Sequence, residues 1–222
     1  MRRTYVSCCL ILAFGVASPG QDARAVPESL NRSIIYQVWM RSFTPEGTLA
    51  ATATHLPYIA DLGATIVYLS PVNVHGYPSV FGPSTPYEIK DYDAIDPEYG
   101  SEADLKRLVE QAHTLGLKVI MDIVYSHSAN DNVHLNTPGF YQRTPDGKII
   151  LSRWRTPMPD YKNRQVHDFF RNNLLHWVKD VGLDGFRADV AGAVPAEFWD
   201  EAREAMDKIN PNVIMLAEAE VP

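Results

Sequence analysis

Five short apolar runs, at residues 34–39, 64–69, 117–125, 185–190 and 212–217, are separated by segments with a helical period. This alternation constrains the fold more than any other feature of the chain. Residues 213–216 read Val-Ile-Met-Leu with no polar side chain, the pattern of a strand buried on both faces, as in parallel sheets. Helical patterns cover 49–62, 102–115, 165–181 and 195–209. Gly63 and Gly116 follow the first two as stop signals, Ser101 with Asp104 three residues on resembles a capping box, and Pro195 opens the last. Strand and helix in strict alternation imply an α/β protein with parallel strands and right-handed crossovers.

Residues 1–25 read as a removable secretory signal. Arg2 and Arg3 make a basic start, 6–16 is mostly apolar but too short to span a bilayer, and Ala23-Arg24-Ala25 fits a small-x-small cleavage site. The expectation is a secreted or periplasmic protein with no membrane attachment once the signal is removed. Both cysteines, Cys8 and Cys9, lie inside that segment, so the mature chain would form no disulfide. Loss of Arg2, Arg3, Arg24 and Asp22 moves the formal net charge from −7 to −9. No Lys/Arg run is present, so no nucleic-acid partner is expected.

One connection breaks the rhythm. From 126 to 163 there are prolines, glycines and a single strand candidate at 148–151, but no helical period. A connection of this length inside a domain points to a functional loop or a small inserted subdomain. The Gly/Pro-rich loop at 76–86 is a shorter case. Both leave the C-terminal ends of strands, where parallel α/β enzymes build their sites.

Two carboxylates sit at strand ends: Asp189 in Gly-Leu-Asp-Gly-Phe-Arg-Ala-Asp-Val-Ala and Glu218 in Val-Ile-Met-Leu-Ala-Glu. A charge at the end of a buried strand is costly unless a site needs it. Two on nearby strands point to paired nucleophile and acid chemistry. In a strand, residues two apart share a face, so Arg187 and Asp189 point the same way. A guanidinium there would lower the pKa of Asp189 and keep it ionised; the plainer alternative is a structural Arg–Asp pair. Glu218, expected in an apolar setting, would have its pKa raised enough to donate a proton, with Glu220 as a rival two residues on.

These strand-end segments resemble those of the α-amylase family of glycoside hydrolases. Asp122-Ile-Val-Tyr-Ser-His127 is similar to the end of the family's third barrel strand, Gly185-Phe-Arg-Ala-Asp-Val190 to the fourth, and Leu216-Ala-Glu218 to the fifth. Ile35-Tyr-Gln-Val-Trp39 resembles the first strand, and the stretch from Tyr87 to Gly100 matches the segment between the second strand and second helix. The resemblance covers about residues 33–220 in order and spacing. It implies a parallel (β/α)8 TIM barrel in which 26–222 is the N-terminal part of the catalytic domain, ending after the fifth strand, with 126–163 inserted after the third. A barrel of this kind usually needs about 250 residues.

The resemblance also implies roles. Asp189 is the nucleophile and Glu218 the acid/base, while Arg187, His127 and Tyr87 contact the sugar beside the cleaved bond. Tyr87 would be an aromatic platform, and Asp122 would order the site. The other histidines form no metal-like spacing, and His113 and His176 read as helix-surface residues. Family members commonly carry asparagine where this chain has Ser126, and often Lys-His in the stretch here occupied by Val190-Ala-Gly-Ala193. Both departures weaken a structural calcium site, so no metal or cofactor is expected. The implied activity is that of a retaining α-glycoside hydrolase or transglycosidase acting on α-glucans, with an oligo- or polysaccharide as partner. The alternative is a catalytically inactive truncated relative that at most binds glucan.

Overall fold

The computed structural model describes residues 28–76 and 85–219. The expected signal at 1–25, most of the 76–86 loop and Glu220 lie outside the described residues. Helix α1, Glu28–Asn31, belongs to one compact unit, Met1–Arg32, and every other element to a second, Ser33–Pro222. In chain order the second unit holds β1 (Ile35–Val38), α2 (Met40–Phe43), α3 (Leu49–Ala53), α4 (Leu56–Asp61), β2 (Ile66–Leu69), β3 (Asn73–His75) and β4 (Ile89–Ile95). There follow α5 (Glu102–Thr114), β5 (Lys118–Ile123), α6 (Arg164–His176), β6 (Gly185–Ala188), α7 (Ala196–Asp207) and β7 (Ile214–Ala217).

Five strands form one parallel sheet in the order β1-β2-β5-β6-β7. All five expected strands are present, each trimmed by up to two residues at an end. β2 is buried throughout and β5 from its second residue onward, as interior strands covered on both faces must be. The edge strands differ: Ile35 in β1 and Leu216 in β7 are exposed. β3 and β4 add an antiparallel pair that the apolar runs did not announce. In β4, Ile-Lys-Asp-Tyr-Asp-Ala-Ile, Lys90, Asp91 and Asp93 interrupt the apolar run that marked the other strands.

The segment 49–62 is two helices rather than one. Pro57 lacks an N–H, and in a continuous helix its ring would meet the carbonyl of Ala53, so the chain breaks at Thr54-His55 and restarts as α4. The capping box of α5 is complete: the Ser101 side chain accepts from the Asp104 N–H and Asp104 accepts the Ser101 N–H at 2.8 Å. Helix α6 runs into one π-helical turn, Trp177–Val181, closed by Gly182 at φ 88°.

Two devices fix the sheet's register near the site-bearing strands. Buried Asp184 accepts from the Val119 N–H (2.8 Å) and from Lys118 Nζ (2.9 Å), and lies 2.7 Å from His113 Nε2, tying α5 to β5 and β6. At Gly185 an added Cβ would lie 2.0 Å from the Ile214 carbonyl oxygen, so only glycine admits this approach of β6 to β7. Behind α6, buried Asn173 donates to the Tyr92 carbonyl (2.9 Å) and Asp93 (2.7 Å), and accepts from Tyr125 and Trp177. A buried amide satisfied at both ends fastens the β4 hairpin to α6. His113 is exposed on α5 and His176 half-buried on α6, the latter 3.0 Å from Glu102.

The excursion 126–163 contains no regular strand. The candidate at 148–151 is reduced to isolated bridges, Arg143↔Ile149 and Leu151↔Pro157, with Tyr141↔Pro159 beyond them. The Ser128 N–H donates to the Pro157 carbonyl (3.0 Å) and Tyr161 Oη to the Tyr125 carbonyl (3.0 Å), holding the excursion against the end of β5.

Candidate active site

Parallel register brings the site residues together at the C-terminal ends of three neighbouring strands. Asp122 on β5 is level with Arg187 on β6, and Ala188 is level with Ala217, the residue before Glu218. Arg187 bonds every carboxylate of the group. Its Nη1 donates to both oxygens of Asp122 (3.0 Å each) and to Asp189 Oδ1 (2.8 Å), and its Nη2 lies 2.7 Å from Glu218 Oε1. Asp122 is fully buried and also accepts from Tyr68 Oη (2.5 Å) and Tyr87 Oη (3.0 Å). In the sequence Tyr68 is one residue of a buried apolar run, and no pattern separates it from a core aromatic.

The electrostatics correct one expectation. Arg187 does act to lower the pKa of Asp189, but it is outweighed. Burial, then the negative charge of Asp122, push Asp189 up to about 7. One guanidinium serves three carboxylates, so it cannot neutralise them all. Asp122 is likewise raised by burial, against the bonds from Tyr68 and Arg187. Burial opposes the charge on Arg187, yet its bonds and attraction to Asp122 leave its pKa raised. Glu218 directly follows β7, the outermost strand of the sheet; its side chain is 42% exposed there, and Oε2 accepts the Val190 N–H at 2.9 Å.

Val190 carries backbone strain. It sits at φ 45°, ψ 45°, a left-handed conformation that a β-branched residue resists. Among the described residues only Arg155 shares this trait without being glycine. The conformation turns the chain directly after Asp189 and aims the Val190 N–H at Glu218, while the Ala191 N–H donates to the Glu218 carbonyl at 3.0 Å.

His127 is buried, with Nδ1 2.8 Å from Ser126 Oγ and its carbonyl accepting from Tyr92 Oη (3.0 Å). Burial pushes its pKa down to about 4, so it is a neutral hydrogen-bonding imidazole near pH 7. Tyr87 lies in the same group, half-buried, with its ring stacked on Trp39 at 6.1 Å. Tyr87, His127, Arg187, Asp189, Val190 and Glu218 line a cleft of about 850 Å³. Its wall also includes Arg153 and Trp154 from the excursion, which the sequence reading did not select.

Ser126 and residues 190–193, where calcium ligands would be lost, can be tested by their donors. Ser126 Oγ is engaged with His127, and residues 190–193 offer no side-chain oxygen, so these positions do not fit a calcium set. Elsewhere among the described residues His75, Asp96 and Glu98 bring ligand atoms within 4.8 Å of one another. Arg41 already fills that place electrostatically: its Nη2 is 2.8 Å from His75 Nε2 and its Nε 3.9 Å from Glu98. A cation there would face a guanidinium, so the group reads as an ion-pair network.

Comparison with known proteins places the chain. Residues 22–142 match the family model for the α-amylase catalytic domain, a stretch that includes Tyr87, Asp122 and His127 and ends before Arg187. A malto-oligosyltrehalose trehalohydrolase from Rhizobium sp. (strain M-11) is 33% identical over 80% of this chain and 29% of its own length. A cyclomaltodextrinase from Geobacillus thermopakistaniensis is 31% identical over 78% of this chain and 32% of its own. Among solved structures, an α-amylase from Lactobacillus plantarum superposes with a TM-score of 0.79 at 36% identity, covering 84% of this chain and 45% of that one. The chain thus spans about a third of the length of these curated relatives and under half of this solved one. Its parallel sheet supplies five strands of the α-amylase TIM-barrel fold. On the family match and on this likeness of fold, the chain belongs to the α-amylase family.

Proposed function

We propose that the whole protein is a retaining α-glucan hydrolase or transglycosidase, with Asp189 as nucleophile and Glu218 as acid/base. The observation that carries this reading is Arg187, which ties Asp189 and Glu218 to one guanidinium within the cleft. Two carboxylates held that way can address the two sides of a single glycosidic bond. Asp189 attacks the anomeric carbon as Glu218 protonates the leaving oxygen. Glu218 then takes a proton from water or an acceptor hydroxyl, which displaces Asp189. His127, neutral near pH 7, can hydrogen-bond a sugar hydroxyl without adding charge, and Tyr87 offers a ring face to pyranose C–H groups. Asp122 anchors Arg187 and so sets its reach to Asp189 and Glu218.

The relatives support the substrate class. Their names include a cyclomaltodextrinase, a 1,4-α-glucan-branching enzyme and an amylopullulanase. The deciding experiment is NMR of the first sugar anomer released from an α-glucan. Retention predicts the α-anomer; a β-product would mean a water-separated, inverting pair, with carboxyls about 6.5–9.5 Å apart rather than about 5–5.5 Å. We also propose export, on the basic and apolar pattern of residues 1–25. N-terminal sequencing of protein recovered outside the cytoplasm would show whether the chain begins after Ala25.

A further inference from the structure

We propose that Arg153 and Trp154, at the tip of the hairpin 151–157, form a saccharide subsite, with the Trp154 indole packing against a neutral sugar ring of an α-glucan chain bound beside His127. The inference rests on the reading above and deepens it, by naming residues that set how much of the chain the cleft grips.

The hairpin is built, not loose. The Ser152 N–H donates to the Thr156 carbonyl (2.8 Å), and Ser152 Oγ accepts the Trp154 N–H (3.1 Å) and pairs with Thr156 Oγ1 (2.6 Å). Asn130 Nδ2 donates to the Arg155 carbonyl at 3.3 Å, linking the tip back to the chain that follows β5. Arg155 itself sits at φ 62°, a left-handed conformation that is strained for a non-glycine residue and turns the chain at the tip.

What this framework presents is an indole in the cleft wall, half-buried rather than sealed in the core. Its ring lies 5.3 Å from the His127 imidazole at a 34° tilt, and the Arg153 guanidinium sits 4.3 Å from its centroid. An indole left partly in water forgoes part of its hydrophobic stabilisation unless a ligand covers it. The guanidinium steadies the ring from one side by a cation–π contact. Planar apolar surface beside hydrogen-bonding groups suits a pyranose, whose C–H face is apolar and whose edge carries hydroxyls. Ordinary packing explains the aromatic cluster of Tyr92, Tyr125, Phe170 and Phe198, which is buried; it does not explain a half-buried indole lining the same cleft as Asp189 and Glu218.

The test uses the whole protein with Asp189→Asn, which should bind without turnover. Maltoheptaose affinity is measured by calorimetry in this background, alone and with Trp154→Phe or Trp154→Ala. Trp154→Ala should weaken binding about tenfold, and Trp154→Phe should recover most of the loss because an aromatic face remains. The loss should be smaller for maltose than for maltoheptaose. Melting curves identify a variant that has unfolded, and Trp154→Phe keeps the test open if Trp154→Ala does so. Equal affinity of all three proteins for maltoheptaose would overturn the subsite while leaving the proposed activity standing. A parent that neither binds nor, with Asp189 intact, cleaves any α-glucan would overturn both.

Discussion

Two regions face the same cleft and are held by different means. The carboxylate group hangs from β5, β6 and β7, where a shared parallel register sets the spacing of Asp122, Arg187 and the residues around Asp189 and Glu218. Arg153 and Trp154 hang from an excursion with no regular strand, held by isolated bridges and local backbone and side-chain hydrogen bonds. The strand ends therefore resist displacement collectively, since moving one residue strains a sheet. The hairpin can change its tip at the cost of a few local bonds. Chemistry that needs fixed distances belongs on the first kind of support, and discrimination among substrates on the second.

Substitutions should separate these regions by size of effect. Asp189→Asn should reduce turnover on maltooligosaccharides by on the order of 10⁴-fold or more, because the covalent step loses its nucleophile. If a hairpin substitution cost as much in kcat, the division of labour would be wrong.

Glu218→Gln should lower turnover on glucans by about 10²–10⁴-fold, the usual worth of general acid catalysis. Aryl glycosides with good leaving groups need little protonation and should suffer less. A parallel loss on both substrate types would remove Glu218 from the acid role.

The same Asp189→Asn change should stabilise the protein, and its pH dependence follows from linkage. Asp189 titrates at about 7 when folded and at about 3.9 in an unfolded chain, so the folded state holds that proton more tightly. Its contribution to stability is fully present below about pH 4 and is lost as pH rises through about 7. Above pH 7 the buried charge opposes Asp122, and the Asn variant should gain on the order of 1–3 kcal/mol. Denaturation at pH 5 and pH 8 checks it; a gain that did not grow with pH would refute the shared-guanidinium account.

Ser152→Ala should have the smallest effect, about 1 kcal/mol, since it removes the side-chain bonds that shape the hairpin turn. Hydrogen exchange should quicken at 151–157 and leave β5 and β6 unchanged. Exchange that spread into those strands would show that the two regions are not independent.

The strand ends were legible because parallel strands leave a strong trace: apolar runs covered on both faces, a period of two that sets Arg187 and Asp189 on one face, and punctuation by Gly and Pro. The break within 49–62 could have been read from Pro57, whose geometry forbids a continuous helix. The β3–β4 pair was hidden by the charges of β4. Trp154 was hidden for another reason. A tryptophan in an irregular segment has no period to reveal which way it faces.

The sequence by itself determined which apolar runs become the strands of the sheet, the capping of α5 and which carboxylates stand at strand ends, since each is a local matter of period, propensity or chain chemistry. The tertiary structure decided what those carboxylates experience. The sharing of Arg187 among Asp122, Asp189 and Glu218, the contact of Tyr68 with Asp122, and the rise of Asp189 to about 7 all depend on burial and on residues brought together from distant parts of the chain. Charge interactions follow distance in space and the surrounding dielectric, and neither is written in the spacing of residues along the chain.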